Sequence, residues 1–177
     1  MWYWAAEPFL YLCFGIVSGY VLLSLVPENY RPVNQLSHKV VAVVALGIGF
    51  FSFFPILRIV SFFAEDIGWS LTFRKVLLDF TEGRAFLFTL TLSILLAGVI
   101  MLNSRVKGTG GLKSILFILS LLMVAQGWSS HVASWYGTWG ILAQTVHLMA
   151  VSLWVGPLLM AGWLNPRTNH WNGIMLP

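Results

Sequence analysis

The stretch AFLFTLTLSILLAGVIML, Ala85 to Leu102, runs for eighteen residues without a charged side chain. An α-helix rises about 1.5 Å per residue, so this stretch extends about 27 Å, close to the roughly 30 Å thickness of a bilayer's hydrocarbon core. It shows no alternation of polar and apolar residues, and it is longer than the roughly ten residues of a tilted barrel strand. The stretch therefore predicts a membrane-spanning helix.

The whole chain has the composition of a membrane protein. Of its 177 residues, 58% are hydrophobic and 9% are charged, whereas soluble domains carry about 25% charged residues. Four further stretches are long and apolar enough to cross a bilayer: Pro8 to Val26, Val40 to Ala64, Ser114 to about Ala133, and about Ile141 to Leu164. The sequence predicts an all-α fold, a polytopic membrane bundle of about five transmembrane helices, with residues 1–177 forming a single transmembrane domain.

The basic residues divide unequally between the two sides of this predicted bundle. One side carries six of them against a single acidic residue, Glu28: Arg31, Lys39, Arg105, Lys107, Lys113 and Arg167. On the other side, the basic residues of the 65–84 loop are matched by acidic ones. The positive-inside rule therefore predicts that the N-terminus lies outside and the C-terminus lies in the cytoplasm. The net charge of +4 reflects this topology, and no basic run with interleaved aromatic residues indicates a nucleic-acid partner.

Three features of the first span bear on what it does in the fold. No basic region precedes its apolar stretch, so we expect it to be a retained helix rather than a cleaved signal peptide. The motif GIVSG, Gly15 to Gly19, has the spacing of small residues that lets two membrane helices approach closely. Cys13 is the single cysteine, which excludes an intrachain disulfide.

The fourth and fifth spans carry the candidate site residues. His131 is predicted near the outer surface, and His147 lies deeper, about level with Gln126 on the antiparallel neighbour. A histidine within the membrane usually faces the bundle interior or a water-filled path, so we expect His147 to face the fourth span, although a neutral histidine can also make one interhelical hydrogen bond. With Met123 and Met149 at similar depth, the nitrogen and thioether ligands suit copper, particularly Cu(I), better than magnesium or calcium.

Two motifs in this region resemble the copper resistance protein D family of bacterial multi-pass membrane proteins. SSHVAS, residues 129–134, is similar to a GHAA-like element of that family, and VHLMAVSLWVGPLLM, residues 146–160, is similar to its HLLAAALWLGGL element. His131 and His147 take the places of the two family histidines, while Trp154 and Gly156 match the LWLGG segment. Pro157 departs from the second glycine that the family often has at that place.

The resemblance implies a non-enzymatic protein that moves copper across the cytoplasmic membrane, with copper as the ion bound. The metal ligands would be His131, His147, Met149 and Met123, and a periplasmic or extracellular copper-binding protein is a compatible partner besides the lipid bilayer. Because family members commonly have more than five helices, the chain is expected to resemble part of a larger protein. Two alternatives stay open: a haem-binding electron-transfer bundle with histidine axial ligands, and a structural assembly subunit. Transport direction, energy source and oligomeric state are left open.

Overall fold

The structure is a computed structural model that describes residues 5–27, 36–103 and 109–163. Within these ranges the chain is all-helical and has no strand. Five segments are long and apolar enough to cross a membrane: Ala6–Leu25, His38–Asp66, Thr81–Leu102, Gly110–Trp128 and Thr138–Leu158. The predicted five-span membrane bundle is confirmed, and the chain is a multi-pass helical membrane protein.

The five spans close into a ring. Helix α1 (Ala6–Leu25) packs beside α2 (His38–Phe51), which packs against α5 (Thr81–Asn103). Helix α6 (Thr109–Trp128) then joins α5 to α8 (Thr138–Leu158), and α8 returns to α1. The buried core of this ring is apolar, with Phe14, Ile48 and Leu96 among its fully buried side chains.

Close packing of α1 on α8 depends on glycines. A methyl group added at Gly156 would come within 2.6 Å of the Gly15 carbonyl oxygen, and one added at Gly19 would strike the Gly156 carbonyl. The backbones of the two helices are therefore nearly in contact, as small-residue motifs allow. This confirms the packing role predicted from GIVSG.

The second predicted span bends in its middle and becomes two helices. Helix α2 ends at Phe51, and α3 (Phe53–Ile67) continues in a new direction after Ser52. Pro55 explains the bend, because proline has no N–H to donate and its ring clashes with the carbonyl four residues earlier, that of Phe51. Helix α3 then leaves the ring and packs mainly on α4 (Trp69–Asp79), which leads back to α5.

Between α6 and α8 the structure adds a short helix that the sequence did not predict. Helix α6 ends at Trp128, and α7 (His131–Tyr136) forms before the turn at Gly137. The hydroxyls of Ser129 and Ser130 donate hydrogen bonds to the carbonyls of Gln126 and Gly127, at 3.1 and 2.7 Å. Serine side chains at this position compete with the helical pattern and cap the next helix, so the fourth span ends earlier than expected.

Candidate functional site

The departure of α3 from the ring leaves a polar cleft at the end of the bundle where α7 lies. The cleft has a volume of about 830 Å³ and is bordered by α1, α3, α6, α7 and α8, with the start of α5. Its ionisable and amide lining includes Glu7, Arg58, Glu65, Glu82, Gln126 and His131. Polar groups of both charge signs thus collect around one space at one end of an otherwise apolar bundle.

Gln126 ties the cleft to the bend of the second span. Its side-chain amide nitrogen donates to the hydroxyl oxygen of Ser52 at 2.7 Å, and that hydroxyl donates to the Ile48 carbonyl at 2.7 Å. Ser52 is buried, so the amide satisfies a polar group that has little access to water. The hydrogen bond fixes α6 against the point where α3 turns away, which is also where the cleft begins.

His131 is the first residue of α7 and lines the polar cleft with an exposed side chain. It is presented there because Ser130 caps α7, accepting a hydrogen bond from the Ala133 N–H at 3.2 Å. The predicted position near one surface of the bundle is consistent with this placement. An exposed imidazole beside carboxylates and amides can meet a cation arriving from water.

A second space, a half-open pocket that we call the methionine cavity, lies between α1, α6 and α8. Its volume is about 140 Å³, and both Met123 and Met149 line it together with the hydroxyl-bearing Ser18, Ser120 and Ser152. The remaining lining is aliphatic: Val21, Leu22, Leu116, Leu119 and Leu153. No charged side chain of residues 5–27, 36–103 or 109–163 lines this cavity.

The register of α6 against α8 explains why the two methionines meet. Gly127 lies against Thr145, because a methyl group added at Gly127 would strike the Thr145 hydroxyl. The helices run antiparallel, so one turn further along each of them Met123 comes level with Met149. Met149 follows Thr138 by eleven residues, about 16 Å of helix, which is close to the middle of a bilayer core.

His147 lies outside both spaces. Its side chain is exposed, because Thr145, Leu148, Ser152 and Gly156 occupy the packed side of α8. The expectation that His147 faces α6 beside Gln126 is therefore wrong, because His147 points away from the packed side of α8. The register of α6 against α8 nevertheless places His147 at the expected depth. Its role as a metal ligand stays a prediction.

The three histidines that the structure describes do not form a facing pair. His131 lines the polar cleft, His147 lines neither space, and His38 lies at the far end of the bundle beside the Tyr20 hydroxyl. The described ranges also contain no group of three or more His, Cys, Asp or Glu side chains placed to hold a metal. This arrangement does not support a haem held between two of these histidines. It also does not support a metal centre built from three or more such side chains.

Sequence reasoning missed two features of this region. Ser18 and Ser152 on the methionine cavity carried no signal, because serines are common in membrane helices. The polar cleft could have been anticipated from Pro55 and Arg58, which interrupt an apolar span and so mark a place where a helix turns away from lipid. Comparison of the chain with protein-family models, curated proteins and solved structures found no match.

Proposed function

We propose that this membrane protein handles copper, accepting the ion at the polar cleft and passing it to the methionine cavity. The observation that carries the proposal is that Met123 and Met149, from two different helices, line one cavity about halfway along α8. Thioether sulfur is a soft ligand that favours Cu(I) over hard cations. Few small ions other than Cu(I) are suited to two thioether ligands in a space that no carboxylate among the described residues lines.

Helix α6 connects the two stations. Gln126 lines the polar cleft, and Met123, three residues earlier on the same helix, lines the methionine cavity. Residues three apart lie on neighbouring positions of one helix face, so an ion leaving His131 would pass Gln126 and reach Met123 about one turn deeper. Neutral, moderate ligands at each station favour transfer over retention.

We place the polar cleft on the outer side of a bacterial cytoplasmic membrane. The basic residues at the opposite end, including Lys39 and Lys113, support a cytoplasmic location for that end under the positive-inside rule. With this orientation the ion arrives from outside, and a soluble copper-binding protein could deliver it to the cleft.

The orientation can be tested with two separate variants, each of which carries one new cysteine in a Cys13→Ala background. The two cysteines lie at opposite ends of the bundle. Ser70 on α4 and Gly110 on α6 are both exposed, whereas Thr72 is buried and unsuitable. We expect Ser70→Cys to react with a membrane-impermeant thiol reagent in intact cells and Gly110→Cys to react only after permeabilisation. The reverse pattern would place the polar cleft in the cytoplasm.

The double substitution Met123→Leu with Met149→Leu tests the function. Leucine fills similar volume, so we expect the fold to survive at a cost below about 1.5 kcal/mol per site. Because leucine has no sulfur ligand, we expect the gain in cellular copper caused by expressing the protein to disappear, as measured by elemental mass spectrometry. His131→Ala should lower the rate of accumulation.

One variant serves as a matched control. Met101→Leu removes a thioether from α5 outside the methionine cavity. It should accumulate copper as the wild type does. If the double methionine variant also accumulates copper normally, the methionine cavity is not on the path and the proposed function is wrong.

A further inference from the structure

One hydroxyl group of the methionine cavity lacks a hydrogen-bond partner. Ser18 on α1 is 3% exposed and lines the cavity, and its Oγ atom has no partner among the described residues. Buried hydroxyls are nearly always paired with protein or with a bound species. We propose that Ser18 Oγ joins the thioethers of Met123 and Met149 as an oxygen ligand, and that this mixed site selects a monovalent soft cation, Cu(I), over divalent ions. This inference rests on the proposed function.

Other serines in the spans show how such a hydroxyl is normally satisfied. Ser24, Ser52 and Ser120 each donate to the carbonyl four residues earlier, at 2.7, 2.7 and 2.9 Å. Ser18 makes no corresponding bond to Phe14. Ser93, Thr72, Thr89 and Thr145 also have unpartnered hydroxyls, but none of them lines the methionine cavity. Among the described hydroxyls, only that of Ser18 combines an open hydrogen-bonding position with a space that can hold a ligand.

The methionine cavity is large enough for an ion together with water. Its volume of about 140 Å³ far exceeds the roughly 10–15 Å³ in the same measure that one water molecule requires. Polar ligands come from three helices, with Ser18 on α1, Met123 on α6, and Met149 and Ser152 on α8. The rest of the described wall is aliphatic, so these hydroxyls and thioethers are the contacts that it offers to a bound ion.

The absence of charge in the wall decides which ions can bind. Hydroxyl and thioether groups are neutral, and no carboxylate among the described residues lines the cavity to offset a positive ion. The cost of moving an ion out of water rises with the square of its charge, so a divalent ion costs about four times as much as a monovalent one. Neutral soft ligands can therefore stabilise Cu(I), whereas Cu(II) and Zn(II) would need a charged ligand. No change of oxidation state occurs at this site.

The test measures binding of Ag(I), a monovalent soft ion that is stable in air, to the purified full chain in detergent by equilibrium dialysis. We expect Ag(I) to bind in competition with Cu(I), and a hundredfold excess of Zn(II) to leave it bound. Loss of one oxygen ligand in Ser18→Ala should weaken Ag(I) binding by about threefold to tenfold. Ser18→Cys adds a soft sulfur and should bind Ag(I) more tightly than the wild type does. Ser18→Thr retains the hydroxyl, so its affinity for Ag(I) should be close to that of the wild type.

Ser24→Ala is the matched control, because Ser24 lies on the same helix, donates to the Tyr20 carbonyl and does not line the cavity. It should bind Ag(I) as the wild type does. If Ser18→Ala binds normally while the double methionine variant does not, the Ser18 inference is wrong and the proposed function stands. If Zn(II) displaces Ag(I) at equal concentration, selection by charge is wrong. Equal binding by the wild type and the double methionine variant would overturn both proposals.

Discussion

Replacing Gly19 with leucine is expected to prevent assembly of the five-span ring. A side chain at this position would begin where the Gly156 carbonyl lies, with the Gly156 carbonyl carbon 2.5 Å and Met160 Cγ 2.6 Å from the added Cβ. Met160 can adopt another rotamer, but the backbone of α8 cannot move locally. Helices α1 and α8 must separate, and we expect a loss of at least about 3 kcal/mol in the free energy of unfolding.

The measurement is the fraction of monodisperse protein after extraction in mild detergent, followed by its thermal unfolding. Gly98→Leu is the matched control, since Gly98 is exposed on α5 and an added Cβ there meets no atom within 4 Å. We expect Gly98→Leu to extract like the wild type and Gly19→Leu to aggregate. Equal behaviour of the two variants would show that α1 and α8 do not cross at these glycines.

The second large effect is expected at Gly127, where α6 meets α8. In Gly127→Ala the new methyl group would strike the Thr145 hydroxyl and approach the Ile141 carbonyl oxygen to 2.8 Å. We expect a loss of about 1–3 kcal/mol, typical of an overpacked contact. Because Met123 and Met149 lie one turn beyond this contact, the same substitution should also lower Cu(I) binding.

Thr145→Ala should partly rescue this variant. The nearest obstacle at Gly127 is a side-chain atom, so removing it relieves part of the clash, whereas the Ile141 carbonyl remains. We expect the double variant Gly127→Ala with Thr145→Ala to recover part of the lost melting temperature, with a coupling energy of about 0.5–2 kcal/mol in a double-mutant cycle. Additive effects of the two substitutions would contradict the α6–α8 register on which the methionine cavity depends.

The length and apolarity of each segment were enough to predict the spans, because the thickness of a bilayer sets both requirements. The register of α6 and α8 was also predictable, since depth follows from counting residues from a turn. The rotation of α8 about its own axis was not predictable. Helix α8 is apolar on most sides, so its sequence carries little information about which face packs against the other helices. For this reason His147 was expected to face α6 and instead lies exposed, while Met123 and Met149 were expected near one another and share a cavity.

Local hydrogen bonds explain where the observed helices end differently from the predicted spans. The early end of α6 and the formation of α7 depend on hydroxyls of Ser129 and Ser130 that bond back to the main chain. Such serines also occur within uninterrupted membrane helices, so their presence alone did not predict a break. Pro55 gave a clearer signal, because its ring and missing N–H always disturb the preceding turn. How far α3 would diverge depended on its packing with α4, which only the fold reveals.

The direct packing of α1 on α8 has a consequence for biosynthesis. Helix α1 is made before α8, so its glycine surface stays without its partner until α8 has been made. The ring therefore cannot close before α8 enters the membrane. Until α8 arrives, Ser18 and the backbone around Gly15 and Gly19 face lipid or an insertion factor. The copper site we propose, built from α1, α6 and α8, would thus form only after α8 has been inserted, so that chains without α8 could not bind the ion there.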